Sequence, residues 1–203
     1  MSPRKPLKWL NALLCILVAI VSWRFIVLGV EASMEFMLYH AQQRPLSFYA
    51  HVGLAPLALL LMPFQFWTGL RLRRPKTHRW IGRVYVLAIV ISGVGALFMA
   101  VNTRTGLVAG TGFGLLALVW LGTTLRGIWL ARAKRIAEHQ VWMIRSAALT
   151  FAAVTLRLYL PLSQVAGLPM EASYAAIAWA CWVPNLIVAE IWIVNRIQRQ
   201  VLA

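Results

Sequence analysis

The chain has 203 residues, of which 61% are hydrophobic and 12% charged, whereas a soluble domain carries about a quarter charged residues. This composition excludes an ordinary soluble domain. The net charge of +15 would suit a nucleic-acid-binding protein, but the basic residues fall in short segments between apolar runs. That placement is typical of membrane orientation signals and argues against a nucleic-acid partner.

Six apolar runs follow one another along the chain, and each is long enough to cross a bilayer as a helix of about 20 residues. They cover residues 9–30, 47–70, 80–101, 108–131, 141–166 and 174–194. The segments between them are too short for a soluble domain. The sequence therefore predicts one all-α transmembrane domain over 1–203, an integral membrane bundle of six helices.

The first run, residues 9–30, follows a basic N-terminal segment. It is longer than the apolar region of a signal peptide, which has about 7–15 residues. We expect an uncleaved anchor helix here.

A dense basic segment, residues 71–83, separates the second run from the third and contains six Lys/Arg. Short basic loops stay in the cytoplasm. When the spans alternate from this loop, both termini are cytoplasmic and most of the 20 Lys/Arg lie on that side. The sequence thus predicts a multi-pass protein of the bacterial inner (cytoplasmic) membrane, with the lipid bilayer as its main partner and a homo-oligomer compatible with the pattern.

Polar side chains gather near the predicted inner ends of four spans, where they are costly and usually functional. They are Gln65, His78, Arg83, His139, Arg145 and Glu190. Arg145 and Glu190 lie at similar depth, roughly one helical turn inside. We expect an ion pair between them, with a structural or a functional role.

His78 and His139 begin two spans on the same side, and each is followed by a Trp and an Arg, in HRWIGR and HQVWMIR. Neutral imidazole is a common axial ligand of haem iron. The pattern suggests haem b held by these two histidines as metal ligands. Arg83 and Arg145 would anchor propionates or a quinone, and Gln65 and Glu190 would be polar or proton-relay groups.

Further polar residues lie near the predicted outer face: Arg24, His51, Arg157 and Gln164, with His40 in the loop beside them. His51 is a candidate ligand for a second, outer haem. Arg157 would pair with an outer acid or with an anionic cofactor group. His40 lies beside Tyr39 and Gln42, and we expect it to be solvated.

The four histidines match no compact zinc spacing, and the chain contains no Walker loop, GxSxG or GxGxxG motif. Hydrolase and nucleotide-driven pump functions therefore have no support. The first hypothesis is a haem electron-transfer protein, linked to a quinone or a redox partner, that would be a membrane oxidoreductase. The alternatives are a small-solute or ion transporter with Gln65, Arg145, Asn185 and Glu190 as a polar path, and an accessory subunit whose polar groups only fix helix packing.

Several segments resemble an uncharacterised family of bacterial multi-pass membrane proteins that is known as a domain of unknown function. They are 78–85 (HRWIGRVY), 139–145 (HQVWMIR), 156–161 (LRLYLP) and 181–190 (CWVPNLIVAE), with 63–66 (PFQF) and His51. The resemblance runs from about 47 to 194 and leaves the first span uncovered. It implies a helical inner-membrane protein without an assigned activity, and its likeness to b-type cytochromes is one of architecture only.

Overall fold

The computed structural model describes the backbone of residues 4–201 and the side chains of residues 9–198. Its secondary structure is helical throughout the described part, with no strand there. This confirms the predicted all-α membrane fold. The chain divides into two compact units, unit one with residues 1–99 and unit two with residues 100–203. The single transmembrane domain stays a prediction.

Five candidate membrane spans are long and apolar enough to cross a bilayer, and a bent pair of helices near the N-terminus would make a sixth. The five are Pro45–Phe66, Pro75–Val101, Gly106–Arg132, Ile136–Val165 and Met170–Gln198. Membrane insertion of several helices is therefore supported, while the cytoplasmic position of both termini stays a prediction.

Unit one contains six α-helices and one 3₁₀ turn within its described residues. They are α1 (Arg4–Ser22), α2 (Phe25–Met34), the turn Glu35–Met37, α3 (Leu38–Gln43), α4 (Pro45–Phe66), α5 (Thr68–Arg73) and α6 (Pro75–Val101). Helices α1 and α3 both pack on α4. Proline opens both α4 and α6, as expected where an N–H would lack a partner anyway.

The first apolar run is not one straight helix. Helix α1 ends at Ser22, and the chain from Phe25 onward turns by 80°. Arg24 stabilises the bend, because its guanidinium donates to the carbonyls of Val21 at 3.4 Å and Ser33 at 2.6 Å. The continuous helix that we expected over 9–30 is therefore interrupted. Its second half forms α2, which leads through the turn Glu35–Met37 into α3.

Helix α6 crosses α4 closely at Gly95, which is buried. A Cβ atom at this position would lie 2.6 Å from the backbone oxygen of Ser47 and 3.2 Å from the backbone nitrogen of His51. No side chain larger than hydrogen fits without moving one helix. Glycine here brings the two backbones together, as small residues do in membrane helix packing.

Unit two contains five helices within its described residues: α7 (Gly106–Arg132), α8 (Ile136–Thr150), α9 (Ala152–Val165), α10 (Met170–Ala180) and α11 (Val183–Val201). The fifth and sixth apolar runs are thus each divided in two. Helix α7 packs against α8 and α10, and α8 packs against α11.

The break between α10 and α11 has a chemical cause in Pro184, which has no N–H to donate to the carbonyl four residues earlier. Side chains compensate locally. Asn185 Nδ2 donates to the Cys181 carbonyl at 2.9 Å, and the Thr155 hydroxyl donates to the same carbonyl. Asn185 Nδ2 also lies 3.4 Å from the Ala148 carbonyl near the end of α8. One amide therefore joins both broken spans.

Candidate functional site

Helices α7 and α8 are joined by hydrogen bonds at successive levels, which we call the polar seam: His139 to Gly127, Ser146 to Thr124, and Thr150 to Trp120. Their distances are 2.8, 2.7 and 2.9 Å. Ser146, Thr124, Thr150 and Trp120 are all buried. The hydroxyls thus find partners away from lipid, as buried polar groups require.

His139 lies at the end of this seam, and its partner determines the tautomer of the neutral ring. Its Nδ1 lies 2.8 Å from the Gly127 carbonyl oxygen, which can only accept a hydrogen bond. In a neutral ring, Nδ1 therefore carries the proton and Nε2 carries the lone pair. This arrangement is typical of metal-ligating histidines, which donate the other ring N–H to a carbonyl or carboxylate.

Arg145 lies on the same helix and pairs with Glu190 of α11. Its Nε and Nη2 atoms lie 2.5 and 2.9 Å from the two carboxylate oxygens, a bidentate contact. Its guanidinium also lies 4.7 Å from the centre of the Trp142 ring. The predicted ion pair is therefore present, and it ties α8 to α11.

In unit one, Gln65 contacts the first turns of α6. Its amide nitrogen lies 3.4 Å from the His78 carbonyl. A Cβ at Gly82 would lie 3.1 Å from its amide oxygen, so glycine makes room for it. Arg83 is exposed, and its guanidinium lies 4.8 Å from the Trp80 ring centre. The structure thus brings Gln65 to His78, while the pairing of His78 with His139 stays a prediction.

His51 has the same kind of partner as His139. Its Nδ1 lies 3.0 Å from the Ser92 carbonyl oxygen on α6. The close approach at Gly95 holds these two helices at the required distance. Nδ1 is again the donor, and Nε2 again carries the lone pair in the neutral ring.

The surroundings of His40 and Arg157, both predicted near the outer face, go beyond what the sequence indicated. His40 is only 2% exposed and stacks on Tyr39, with ring centres 4.0 Å apart. The expectation that it is solvated was wrong, because α3 folds back against α4 and buries one face. Arg157 is half-buried and donates to the Ala153 carbonyl at 3.2 Å.

Sequence reasoning missed most of the polar seam and the backbone partners of His139 and His51. A signal was present, since Ser146 and Thr150 lie four residues apart inside an apolar run and so share a helix face. Hydroxyl residues are common in membrane helices, and their pairing depends on which helix lies opposite.

One family model matches residues 48–193 of the chain, and its description is "Predicted membrane protein (DUF2306)". The match covers well over half of the sequence. The chain belongs to this family. No curated protein and no solved structure matches it.

The DUF2306 match includes every candidate site residue: His51, Gln65, His78, Arg83, His139, Arg145, Arg157 and Glu190. Helices α1, α2 and α3 lie before it. The polar seam and the ion pair therefore lie within the matched region, and the bent N-terminal segment lies outside it.

Proposed function

We propose that this DUF2306 protein binds haem b in the bacterial inner membrane and transfers electrons, with a quinone or another redox protein as partner. The observation that supports the proposal best is the orientation of His139. Its Nδ1 is engaged with the Gly127 carbonyl, so Nε2 is the nitrogen with a lone pair for iron. His78 is the second proposed ligand.

The available donors suit a haem better than a bare metal ion. Within the described side chains, no group of three or more His, Cys, Asp or Glu could hold a metal ion. A haem needs only axial ligands from the protein, because its ring nitrogens supply the other bonds. Bound haem would provide one-electron redox chemistry.

Arg145 and Arg83 are the proposed anchors for the anionic groups of a haem or a quinone. Arg145 uses two of its five N–H groups on Glu190, which holds the guanidinium in place. Arg83 is exposed and rests on Trp80. In this proposal Gln65 and Glu190 hold or relay protons, while His51, oriented by Ser92, and Arg157 belong to an outer site.

The first experiment is a reduced-minus-oxidised spectrum of the full chain, expressed with haem supplied and purified in mild detergent. A b-type spectrum is expected. A colourless, folded protein would contradict the proposal.

Two substitutions separate a ligand from a packing residue at position 139. His139→Asn keeps an amide N–H near the Gly127 carbonyl but has nothing in place of Nε2. We expect it to keep its thermal stability and lose the spectrum. If the histidine only joined two helices, His139→Asn would keep both its thermal stability and its spectrum. That result would reject His139 as a haem ligand.

A rescue experiment adds a positive test. In His139→Gly, free imidazole should restore the spectrum, since the added ring supplies the missing nitrogen. The control is Gln140→Ala at the next position, whose amide oxygen accepts from Arg196 at 3.3 Å and has no proposed role. Its spectrum should equal that of the unchanged protein.

The breaks in the fifth and sixth spans favour transport as a second candidate function. Discontinuous membrane helices line substrate sites in many transporters, and Asn185 joins both breaks here. Asn185→Leu should then abolish uptake in proteoliposomes and leave any haem spectrum unchanged. If proteoliposomes that contain the unchanged protein take up neither small solutes nor ions, this candidate is rejected.

A further inference from the structure

Six cations form a strongly charged surface in unit one, which we call the basic patch: Arg71, Arg73, Arg74, Lys76, Arg79 and Arg83. All are exposed except Arg71, which is half-buried. They occupy α5 and the first turns of α6. None of them forms an ion pair within the described side chains.

Protein carboxylates do not balance this charge. The sequence contains no Asp or Glu between Glu35 and Glu138. Glu31 and Glu35 line a cavity beside Tyr49, in the first turns of α4, whereas the patch begins after its last residue, Phe66. The length of helix between Tyr49 and Phe66 is about 25 Å. Direct pairing between these acids and the patch is thus excluded.

The acids of the predicted cytoplasmic side are already engaged in unit two. Glu138 accepts two hydrogen bonds from Arg135, and Glu190 accepts two from Arg145. Each carboxylate is therefore matched by an arginine of its own unit. The fifth acid, Glu171, lies in the first turn of α10, between the fifth and sixth spans and so on the opposite predicted side of the membrane. We therefore expect the counter-charge for the basic patch to come from outside the chain.

The position of the patch identifies the source of that charge. Only residues 67–74 separate the two candidate spans that end at Phe66 and begin at Pro75. Trp67 lies before the patch and Trp80 within it, and they are 55% and 63% exposed, as in an interfacial aromatic belt. Leu72, which is 73% exposed, places an apolar side chain among the cations, where it could contact lipid acyl chains. The cations therefore lie at the depth of lipid headgroups.

We propose that the basic patch binds the phosphates of anionic phospholipids, such as phosphatidylglycerol. Arginine suits this role because its planar guanidinium binds two phosphate oxygens at once. A short loop with an exposed leucine and two nearby tryptophans fits a membrane surface better than an acidic protein segment. The proposal does not depend on haem binding.

The test is native mass spectrometry of the full chain in mild detergent, titrated with phosphatidylglycerol, with phosphatidylcholine, or with a poly-glutamate peptide. Phosphatidylglycerol should bind saturably and more weakly at high salt, because salt screens exposed charges. The triple variant Arg73→Gln, Arg74→Gln, Lys76→Gln should weaken that binding about tenfold or more.

A matched control removes the same residue types from unit two: Arg126→Gln, Arg132→Gln, Lys134→Gln. Its lipid affinity should change by less than about twofold, since the patch remains. The double variant Arg73→Lys, Arg74→Lys keeps the charge and so the insertion signal. It should lose about threefold, because lysine lacks the two-pronged phosphate contact.

Three results would overturn the proposal. One is equal affinity for phosphatidylcholine and phosphatidylglycerol. Another is an equal loss in the two triple variants, which would indicate diffuse charge attraction. The third is tighter binding of poly-glutamate than of the lipid, which would assign the patch to an acidic protein partner.

Discussion

The two units satisfy their polar groups in different ways. In unit two, side chains pair with side chains across helices, as in Arg145 with Glu190 and Thr124 with Ser146, in addition to bonds to backbone carbonyls such as that of His139 to Gly127. In unit one, side chains donate to backbone carbonyls of a neighbouring helix. Examples are His51 to Ser92, Gln65 to His78 and Trp23 to Gly53.

This difference changes what holds each unit together. Unit two depends on the chemistry of particular pairs, so removing one partner leaves the other polar group without that hydrogen bond. Unit one depends on backbones coming close enough for a side chain to reach a carbonyl. Its vulnerable position is therefore Gly95, where an added Cβ would meet backbone, and we expect the bilayer to neutralise its cationic surface.

The largest expected effect tests the ion pair of unit two. Glu190→Gln removes the negative charge opposite Arg145, whose side chain is 23% exposed, and should destabilise the protein by about 2.5 kcal/mol, because the guanidinium loses charge-assisted hydrogen bonds. Thermal unfolding in detergent measures the loss.

Two controls accompany this substitution. Glu138→Gln breaks an ion pair whose partners are each 48% exposed, and should cost less than about 0.5 kcal/mol. The double variant Arg145→Gln, Glu190→Gln should recover part of the loss. Equal losses of stability at positions 138 and 190 would mean that the Arg145–Glu190 pair stabilises the protein no more than an exposed surface ion pair.

The second effect tests close backbone approach in unit one. Gly95→Ala should cost about 2 kcal/mol, since the added methyl group would lie 2.6 Å from a backbone oxygen. Gly53→Ala in α4 is the matched control, because a Cβ there meets nothing within 4 Å. Unfolding curves should show a loss for the first variant and no loss for the second.

The smallest effect tests the polar seam. Thr124→Val keeps the shape and removes the hydroxyl bonded to Ser146, and should cost about 0.6 kcal/mol, the mean for hydrogen bonds between membrane helices. Thr111→Val is the control, since its hydroxyl bonds only to carbonyls of its own helix, those of Leu107 and Val108. A loss as large at position 111 would contradict a specific role for the seam.

The sequence predicted the helical membrane fold, the family and the Arg145–Glu190 pair, because long apolar runs and intramembrane charges are strong signals. The bend after Ser22 was missed because no proline marks it; Arg24 stabilises it through a contact with Ser33, nine residues away, and Gly29, with a φ of 78°, adds a kink inside α2. The partner of His139 could not be predicted, because a backbone carbonyl carries no residue-specific signal.

The α7–α8 connection is only Ala133–Arg135, and Lys134 adopts a left-handed conformation with φ of 61°. We therefore expect the two helices to pair as a tight hairpin soon after synthesis. Their hydroxyl and indole groups can form hydrogen bonds with each other before they contact acyl chains. The paired helices therefore present a less polar surface to lipid than either helix alone. We expect biosynthetic insertion to release them together, in one alignment, with Gly127 opposite Met143, where an added Cβ would lie 2.7 Å from the sulfur.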